Sequence, residues 1–481
     1  MASETDDEQI ERYDVIVVGG GMGGLNLAAL LAHGGHRVVV LEKGDGAALG
    51  GRAASGDVDG SAIDNGIKGL ILAGTEDEVF ARVGKALPDN VCTWTNSGKV
   101  HFGDGWRDLD GMVLGAFDEF SRAYLDPVKE LSYAEIEALN DVSTEEYARR
   151  TTDDPEVIDF FRYIGWLFGG TLPVPHDYSA GSMLYSVKRQ LDHLGHFPSQ
   201  SYWVEGGSGA IAGPLVEAIT EHGGEIRTGT PVSRVLVEDR RVVGVEVSDG
   251  PRRTPTEWPA TRRIEAPVVV SAVPIWDVFT ILDRRDLDPW YAARLEHLHR
   301  KTLNVVTLTY GLDDPDRWDH TGPRWVQQGP FSGRPWCASS LAFPGERNEY
   351  QVTFWMQLGW WEAPDVFSMR EARHKAALTE LIGRFEADID ELFDGLTTAA
   401  AWRHHSFGPA TIMETPGYVG DDLPDLAVPG VDGLFLIGER TRAAKVMGVY
   451  GAAQVALAAE ERIVAALSGR AGRADRVAAP G

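Results

Sequence analysis

At 481 residues the chain is long enough for two or three domains with sizeable cores. Its formal charge of −27 and pI near 4.8 count against nucleic acid and anionic membrane as partners, because both would be repelled. The two cysteines, Cys92 and Cys337, stand far apart and outside any metal-ligand spacing, so neither a disulfide framework nor a metal site is expected. The acidic opening MASETDDEQIERYD lacks the basic and apolar regions of a signal peptide, and no stretch reaches transmembrane length. A cytoplasmic protein with no integral membrane segment is the expectation.

Val15 to Val18 is an apolar run short enough for a buried parallel strand. Gly19, Gly21 and Gly24 follow at G-x-G-x-x-G spacing and lead into a helical pattern over Leu25 to Leu31. The first glycine makes a tight turn, the second lets a pyrophosphate approach the backbone, and the third lets helix and strand pack closely. Unpaired N–H groups and the positive dipole end of that helix favour an anion there. A turn over His33 to His36 precedes a second strand, Arg37 to Leu41, which ends on Glu42. A carboxylate at that place accepts hydrogen bonds from ribose hydroxyls and repels a 2′-phosphate. Gly19, Gly21, Met22, Gly24, Glu42 and Lys43 are therefore expected to line a dinucleotide cradle.

The glycines alone do not separate NAD from FAD, but Gly50, Gly51 and Arg52 come soon after Glu42. The order G-x-G-x-x-G, then E, then GGR resembles the FAD-binding domain of flavin amine oxidases, phytoene desaturases and their relatives. The resemblance implies FAD as cofactor and a diphosphate contact from Arg52, whose planar guanidinium suits a bidentate anion. It continues at Asp64, Asn65 and Gly66, where relatives carry an acid and a glycine on a loop beside the flavin ring. Gly66 would let the backbone approach the isoalloxazine closely. Lys68 is either a cation near the flavin or an exposed lysine.

Farther along, a helix is expected over Asp77 to Leu87, a hairpin in KVHFGDGWRDL, and helical patterns over Phe117 to Leu139 and Ser143 to Phe168. The resemblance places a substrate cap in this region. Phe160, Phe161, Tyr163, Trp166 and Phe168 are thus pocket or core residues. Tyr202 to Ala212 carries a second glycine pattern, with Gly206 and Gly207 starting a helix. It is not read as an NAD site, because the next strand, Glu225 to Thr230, ends without an acid for the ribose. A hairpin then begins at Pro231 and Val232, and relatives use a valine at the latter position to meet the adenine through its backbone. Ala266 to Val273 is a buried strand returning to the same sheet. Asn304 to Leu312, Trp336 to Phe343 and Tyr350 to Leu358 read as strands of a substrate domain, with Trp355, Trp360 and Trp361 as pocket wall or core.

The chain closes with a buried strand, Leu434 to Ile437, a turn at Gly438 and Glu439, and a helix over Val449 to Ile463 that begins at Gly448. In relatives the acid lies near the ribityl or phosphate region and the helix N-terminus faces the flavin pyrimidine. Helix N–H groups there would stabilise the negative charge that reduced flavin gathers. MGVYGAA lacks the tryptophan and glutamate of the W-x-G-Y-x-E-G-A pattern of amine oxidases, and resembles more closely the P-G-V-x-G-S-A pattern of phytoene desaturases.

The implied fold class is α/β, a Rossmann-type FAD-binding domain with a mixed α+β substrate domain and a helical cap. Residues 12–75, 200–273 and 425–468 would form the discontinuous FAD-binding domain. Residues 76–199 and 274–424 would form the substrate and cap domain, with 1–11 and 469–481 as disordered tails. The implied reaction is two-electron oxidation through flavin N5, by C–C desaturation of an apolar small molecule. An amine oxidase using oxygen is the alternative, and a non-catalytic flavin-binding protein is the third reading. The residues name no catalytic acid or base and nothing fixes an oligomeric state; Tyr450 is the candidate for orienting substrate. Lys301 would matter only to an amine oxidase, and His404 and His405 read as surface or strand-end residues. FAD is expected to be held without a covalent bond, since no cysteine lies near the flavin segments.

Overall fold

β1 (Val15–Val18), α1 (Met22–His33) and β2 (Val38–Leu41) form the expected parallel βαβ unit, with every residue of both strands buried. Burial on both faces is what continuous Val and Ile runs specify. The structure is a computed structural model. It describes residues 11–478 apart from 59–60, 67–73, 90, 94–98, 102, 104, 109–120, 156, 159–160, 163, 166–176, 196–201, 205–206, 249–259, 314–323, 343–349, 360–371 and 447. The expected N-terminal tail therefore lies outside the described residues as far as residue 10, and Glu11–Arg12 already pair with another strand.

A hairpin of β3 (Ser55–Val58) and β4 (Ser61–Asp64) follows. The next helix, α2 (Thr75–Arg82), stops short of the expected residue 87, where Gly84 in a left-handed conformation, φ 71°, closes it. The second expected hairpin is present as β5 (Lys99–His101) and β6 (Trp106–Asp108). The helical pattern expected over Phe117 to Leu139 is not one helix among the described residues. Pro127 sits in a 3-10 turn, and Ser132 starts a new helix, Tyr133–Glu137, with a capping box to Glu135. The pattern over Ser143 to Phe168 also divides. α3 (Thr144–Thr151) ends at an extended Thr152, ahead of Pro155, whose ring disfavours helical backbone in the residue before it. Phe161 is buried in the cap core; Phe160, Tyr163, Trp166 and Phe168 lie outside the described residues. α4 (Ala180–Leu194) supplies Met183, Leu184 and Val187 to that core.

Chain direction then returns to the first sheet. A 3-10 turn, Ser208–Ile211, precedes α5 (Ala212–Glu221), so the helix begins later than Gly206 and Gly207 suggest; Gly206 lies outside the described residues. β7 (Glu225–Arg227) pairs parallel with β2. β8 (Val232–Glu238) and β9 (Arg241–Ser248) make the expected hairpin, joined by Asp239 and Arg240 at φ 46° and 60°, the backbone of a type I′ turn. β10 (Thr261–Glu265) extends it, and β11 (Val268–Ser271) inserts beside β1.

The remaining elements are α6 (Pro289–His299), β12 (Thr302–Leu312), β13 (Arg324–Val326), β14 (Trp336–Ala342), β15 (Tyr350–Leu358), α7 (Ala372–Leu392), β16 (Trp402–Ile412), β17 (Leu434–Leu436) and α8 (Gly448–Ala478). α8 runs ten residues past the boundary expected at 468, to Ala478. Its Ala- and Arg-rich sequence favours helix, and Pro480 is the first proline to oppose it. Two sheets organise the whole. A parallel sheet of order β7-β2-β1-β11-β17 carries the cradle, and a seven-stranded sheet of order β16-β12-β15-β14-β13-β5-β6 builds the second unit. The first packs α1, α5 and α8 over one face, and α7 covers one face of the second. Among the described residues no helix is long and apolar enough to cross a membrane.

The second unit depends on one buried acid. Asp388 of α7 is fully buried and accepts the backbone N–H groups of Phe331 and Ser332 at 2.6 and 3.0 Å and the Trp336 indole N–H at 3.2 Å. Asp388→Ala would leave these donors unpaired, and each bond to a charged acceptor contributes about 1.5–3 kcal/mol. A loss of roughly 3 kcal/mol or more in denaturant unfolding is expected; a midpoint unchanged from the native protein would show that water replaces the carboxylate freely.

Candidate functional site

The segments that leave β1, β2, β11 and β17 all emerge at the carboxyl edge of the parallel sheet, where folds of this class bind their ligands. Gly19, φ 108°, makes the turn out of β1. A Cβ on Gly24 would stand 2.2 Å from the Gly19 carbonyl oxygen, whereas one on Gly21 would meet nothing within 4 Å. The glycines thus do two different jobs: Gly24 permits packing and Gly21 leaves space open. Gly21 is the N-cap of α1 with no capping side chain, and no acid lies in the first turn. An uncapped helix start beside open space suits a diphosphate. Met22 is buried in α1, and Lys43 is exposed beside Glu42.

Glu42 is 8% exposed and already holds the cradle together. Its Oε2 accepts the Gly20 N–H at 2.7 Å and its Oε1 the Gly44 N–H at 2.8 Å. A carboxylate has about four acceptor positions, so each oxygen keeps one for a ribose hydroxyl. The backbone of Glu42 also accepts the Thr230 N–H at 2.9 Å, which brings the strand beginning at Val232 alongside. Glu42→Ala is expected to weaken FAD binding by about 10- to 100-fold, the equivalent of one charged hydrogen bond. Equilibrium dialysis of FAD against the variant checks this, and an unchanged Kd would leave Glu42 as a turn staple alone.

Gly51 and Arg52 follow in a 3-10 turn. Arg52 donates from Nη1 to Glu439 Oε1 at 2.7 Å and to the Ala410 carbonyl at 2.5 Å, with its guanidinium 5.4 Å from the Trp276 ring centroid. Gly66 passes so close to Arg52 that a Cβ would stand 2.8 Å from the Arg52 carbonyl oxygen. Arg52, Trp276, Gly438 and Glu439 border a cleft. Burial alone would raise the Glu439 carboxyl, but the guanidinium groups of Arg52 and Arg440 outweigh it and hold the group below its ordinary value. Sequence reasoning missed Trp276, Thr411, Glu414 and Arg440. Arg440, 3% exposed, donates to Glu414 Oε1 at 2.6 Å and to Thr411 Oγ1 at 2.8 and 3.0 Å, while Thr411 donates to Glu439 at 2.8 Å. Tyr178 donates to the other oxygen of Glu414. This chain ties the cap, the end of β16 and the turn after β17 together, and its one sequence signal is the arginine directly after Glu439.

α8 begins at Gly448, φ 79°, with Val449 buried and no acid in its first turn. Tyr450 is buried, and its hydroxyl oxygen accepts from Arg189 Nε of α4 at 2.6 Å. Burial raises its pKa, against the influence of Arg189. The phenol therefore tethers the cap to the start of α8. Asp64 accepts Ser55 Oγ at 2.6 Å and the Ser208 N–H at 2.8 Å, and a Cβ on Gly207 would stand 2.4 Å from Ser55 Oγ. The second glycine pattern is thus a tight joint onto β3 and β4, consistent with rejecting a second dinucleotide site.

Lys301 lies 6.0 Å from the Tyr418 ring centroid, one residue before β12. His404 and His405 stand within β16 and not at its end, and His405 is half-buried beside Glu386. Burial lowers its pKa, with Glu386 acting in the opposite sense. Cys337 is a free, buried thiol whose pKa burial pushes up. Trp355 is half-buried in β15; Lys68, Trp360 and Trp361 lie outside the described residues. Among the described residues no cluster of three or more His, Cys, Asp or Glu could hold a metal ion.

Residues 22–463 match the flavin containing amine oxidoreductase family. Relatives include a chloroplastic prolycopene isomerase of Daucus carota, 24% identical over 345 residues, 62% of this chain and 52% of the relative. A phytoene desaturase of Cercospora nicotianae is 27% identical over 294 residues, 54% of this chain and 45% of the relative. The chain spans about half the length of these relatives. An oxidoreductase from Methanosarcina mazei superposes with a TM-score of 0.65 at 17% identity, covering 93% of this chain and 99% of the other. Putrescine oxidase bound to putrescine superposes with a TM-score of 0.62 at 16% identity, covering 94% and 99%. The open space at Gly21, the uncapped start of α1, the acid-free first turn of α8, and the placement of Glu42 and Arg52 fit FAD. Because the family match runs over residues 22–463, well beyond half of the chain, this chain belongs to the flavin containing amine oxidoreductase family, and its cofactor is FAD.

Proposed function

We propose that this FAD-dependent oxidoreductase removes two electrons from an apolar small molecule by C–C desaturation. The observation that carries the reading is the start of α8, where MGVYGAA has neither the tryptophan nor the glutamate of an amine site and the Tyr450 hydroxyl is engaged by Arg189. Relatives named as phytoene desaturases lend support. Each turnover breaks C–H bonds on adjacent carbons, forms a C=C bond, and releases a hydride and a proton, the proton to solvent. When bound, FAD supplies the two-electron sink, accepting the hydride at N5. The protein's own part is positioning. Gly21, the α1 N-terminus and Arg52 would hold the diphosphate, Glu42 the ribose, with Met22, Lys43 and the backbone at Val232 completing the adenosine end. Gly51, Gly438 and Glu439 would surround the middle of the cofactor and Gly66 would approach the isoalloxazine, with Gly448 and Val449 presenting the α8 N-terminus to developing flavin charge.

Likeness to putrescine oxidase keeps amine oxidation as the second reading. Salt separates the two, since cations would be steered by a chain of formal charge −27 and apolar molecules would not. Rapid anaerobic flavin bleaching by putrescine, weakened as salt rises, would establish the amine reading. Bleaching by a polyene hydrocarbon at a rate independent of salt is the expected result.

A further inference from the structure

Thr411, the penultimate residue of β16, stands where the second unit meets the cradle. It pairs with Leu303 of β12, whose side chain packs with Tyr178 and Met183 of the cap. A hydroxyl has one proton to donate and two lone pairs with which to accept. Both lone pairs of the Thr411 oxygen are taken by the buried Arg440, from Nε at 3.0 Å and Nη2 at 2.8 Å. The one proton therefore goes to Glu439 Oε1 at 2.8 Å; the Ile412 carbonyl, the other acceptor in reach, is 3.4 Å away.

Glu439 Oε1 also accepts from Arg52 Nη1 at 2.7 Å, so both lone pairs of that oxygen are in use. Nη1 carries two protons, and the second goes to the Ala410 carbonyl at 2.5 Å. Ala410 immediately precedes Thr411, so β16 acts on the guanidinium twice, once directly and once through Glu439. A guanidinium is planar, and two bonds fixed at Nη1 fix that plane. What remains is the edge made by Nε and Nη2, for which no acceptor is present among the described residues, on a side chain that borders the cleft. Such an edge offers two parallel N–H groups, the pair that suits two oxygens of a phosphate. An arginine already held in place loses less freedom when its ligand arrives.

We propose that Thr411 is a positioning residue for the cofactor: held by Arg440, it orients Glu439, and Glu439 with the Ala410 carbonyl sets Arg52 so that its Nε and Nη2 edge serves the diphosphate. The role rests on the reading of Arg52 as the diphosphate contact. The test dialyses FAD against the full chain and reads the dissociation constant, with a melting curve of each variant alongside. Thr411→Val is expected to weaken FAD binding about ten-fold. Thr411→Ser keeps the hydroxyl and should stay within about two-fold of the native protein, whereas Thr411→Cys, of the same shape as serine but a weak donor, should not. In an Arg52→Met background Thr411→Val should change the dissociation constant no further, because its effect passes through the guanidinium. A residue that served only to satisfy Arg440 would lower stability and carry its full effect into that background. Should Thr411→Val fail to fold, Thr411→Cys takes its place in that comparison. Equal FAD affinity in Thr411→Cys and Thr411→Ser, or a loss that adds in full to that of Arg52→Met, would overturn the proposal and leave the diphosphate reading intact. Native FAD affinity in Arg52→Met alone would remove the diphosphate reading and this role together.

Discussion

Gly21→Ala is expected to leave the protein folded and remove its FAD. The added methyl would point into open space, with nothing within 4 Å, and Gly21 has an ordinary φ of −72°, so neither crowding nor backbone strain opposes folding. The same methyl would stand where the diphosphate approaches the uncapped start of α1. Overpacking of this kind costs about 1–3 kcal/mol, or roughly 5- to 150-fold in affinity. Gly24→Ala is the contrasting variant, since its Cβ falls 2.2 Å from the backbone oxygen of Gly19, which cannot give way without opening the turn. It should lower the thermal midpoint as well. Melting curves and FAD titrations of the two variants check the pair. Equal FAD affinity in Gly21→Ala and the native protein would mean that the diphosphate does not pass over this glycine.

Arg440→Met is expected to destabilise the protein by about 3–5 kcal/mol, because it strands the buried carboxylate of Glu414. Arg440 and Glu414 are 3% and 4% exposed, so water cannot take the place of the lost partner. Arg440→Met combined with Glu414→Leu should recover most of the loss, since replacing a buried ion pair by apolar residues is often neutral. The double-mutant cycle measures this coupling directly, and simple additivity of the two single losses would contradict it. The neighbouring Glu439 adds a pH dependence. Its carboxyl is held below the ordinary value despite burial, through Arg52 and Arg440. A lowered carboxylate contributes stability that is complete above its ordinary unfolded value and is lost as pH falls through the folded one. Midpoint temperature should therefore drop on acidification below the usual carboxylate range, and drop less in Glu439→Gln.

Val15–Val18 was legible as a continuous apolar run, and Tyr350–Leu358 and the hairpin at residue 232 as alternating strand sequences. Glycine spacing located the cradle, since each glycine answers to a local steric need. Helix ends were less legible. Pro127, Ser132 and Pro155 interrupt apolar patterns that periodicity alone runs together. The joint of Thr411, Glu414, Arg440 and Tyr178 could not be read at all, because its members lie up to 262 residues apart and only tertiary packing makes them neighbours.

The measurement that tests the proposed activity most directly is an anaerobic single turnover of the FAD-loaded enzyme with a polyene substrate, followed by mass analysis of the product. The desaturase reading predicts one product molecule per flavin bleached, lighter by two hydrogen atoms and carrying a new C=C bond. Bleaching by a primary amine, with an imine or aldehyde as product and no change in the polyene, would contradict it.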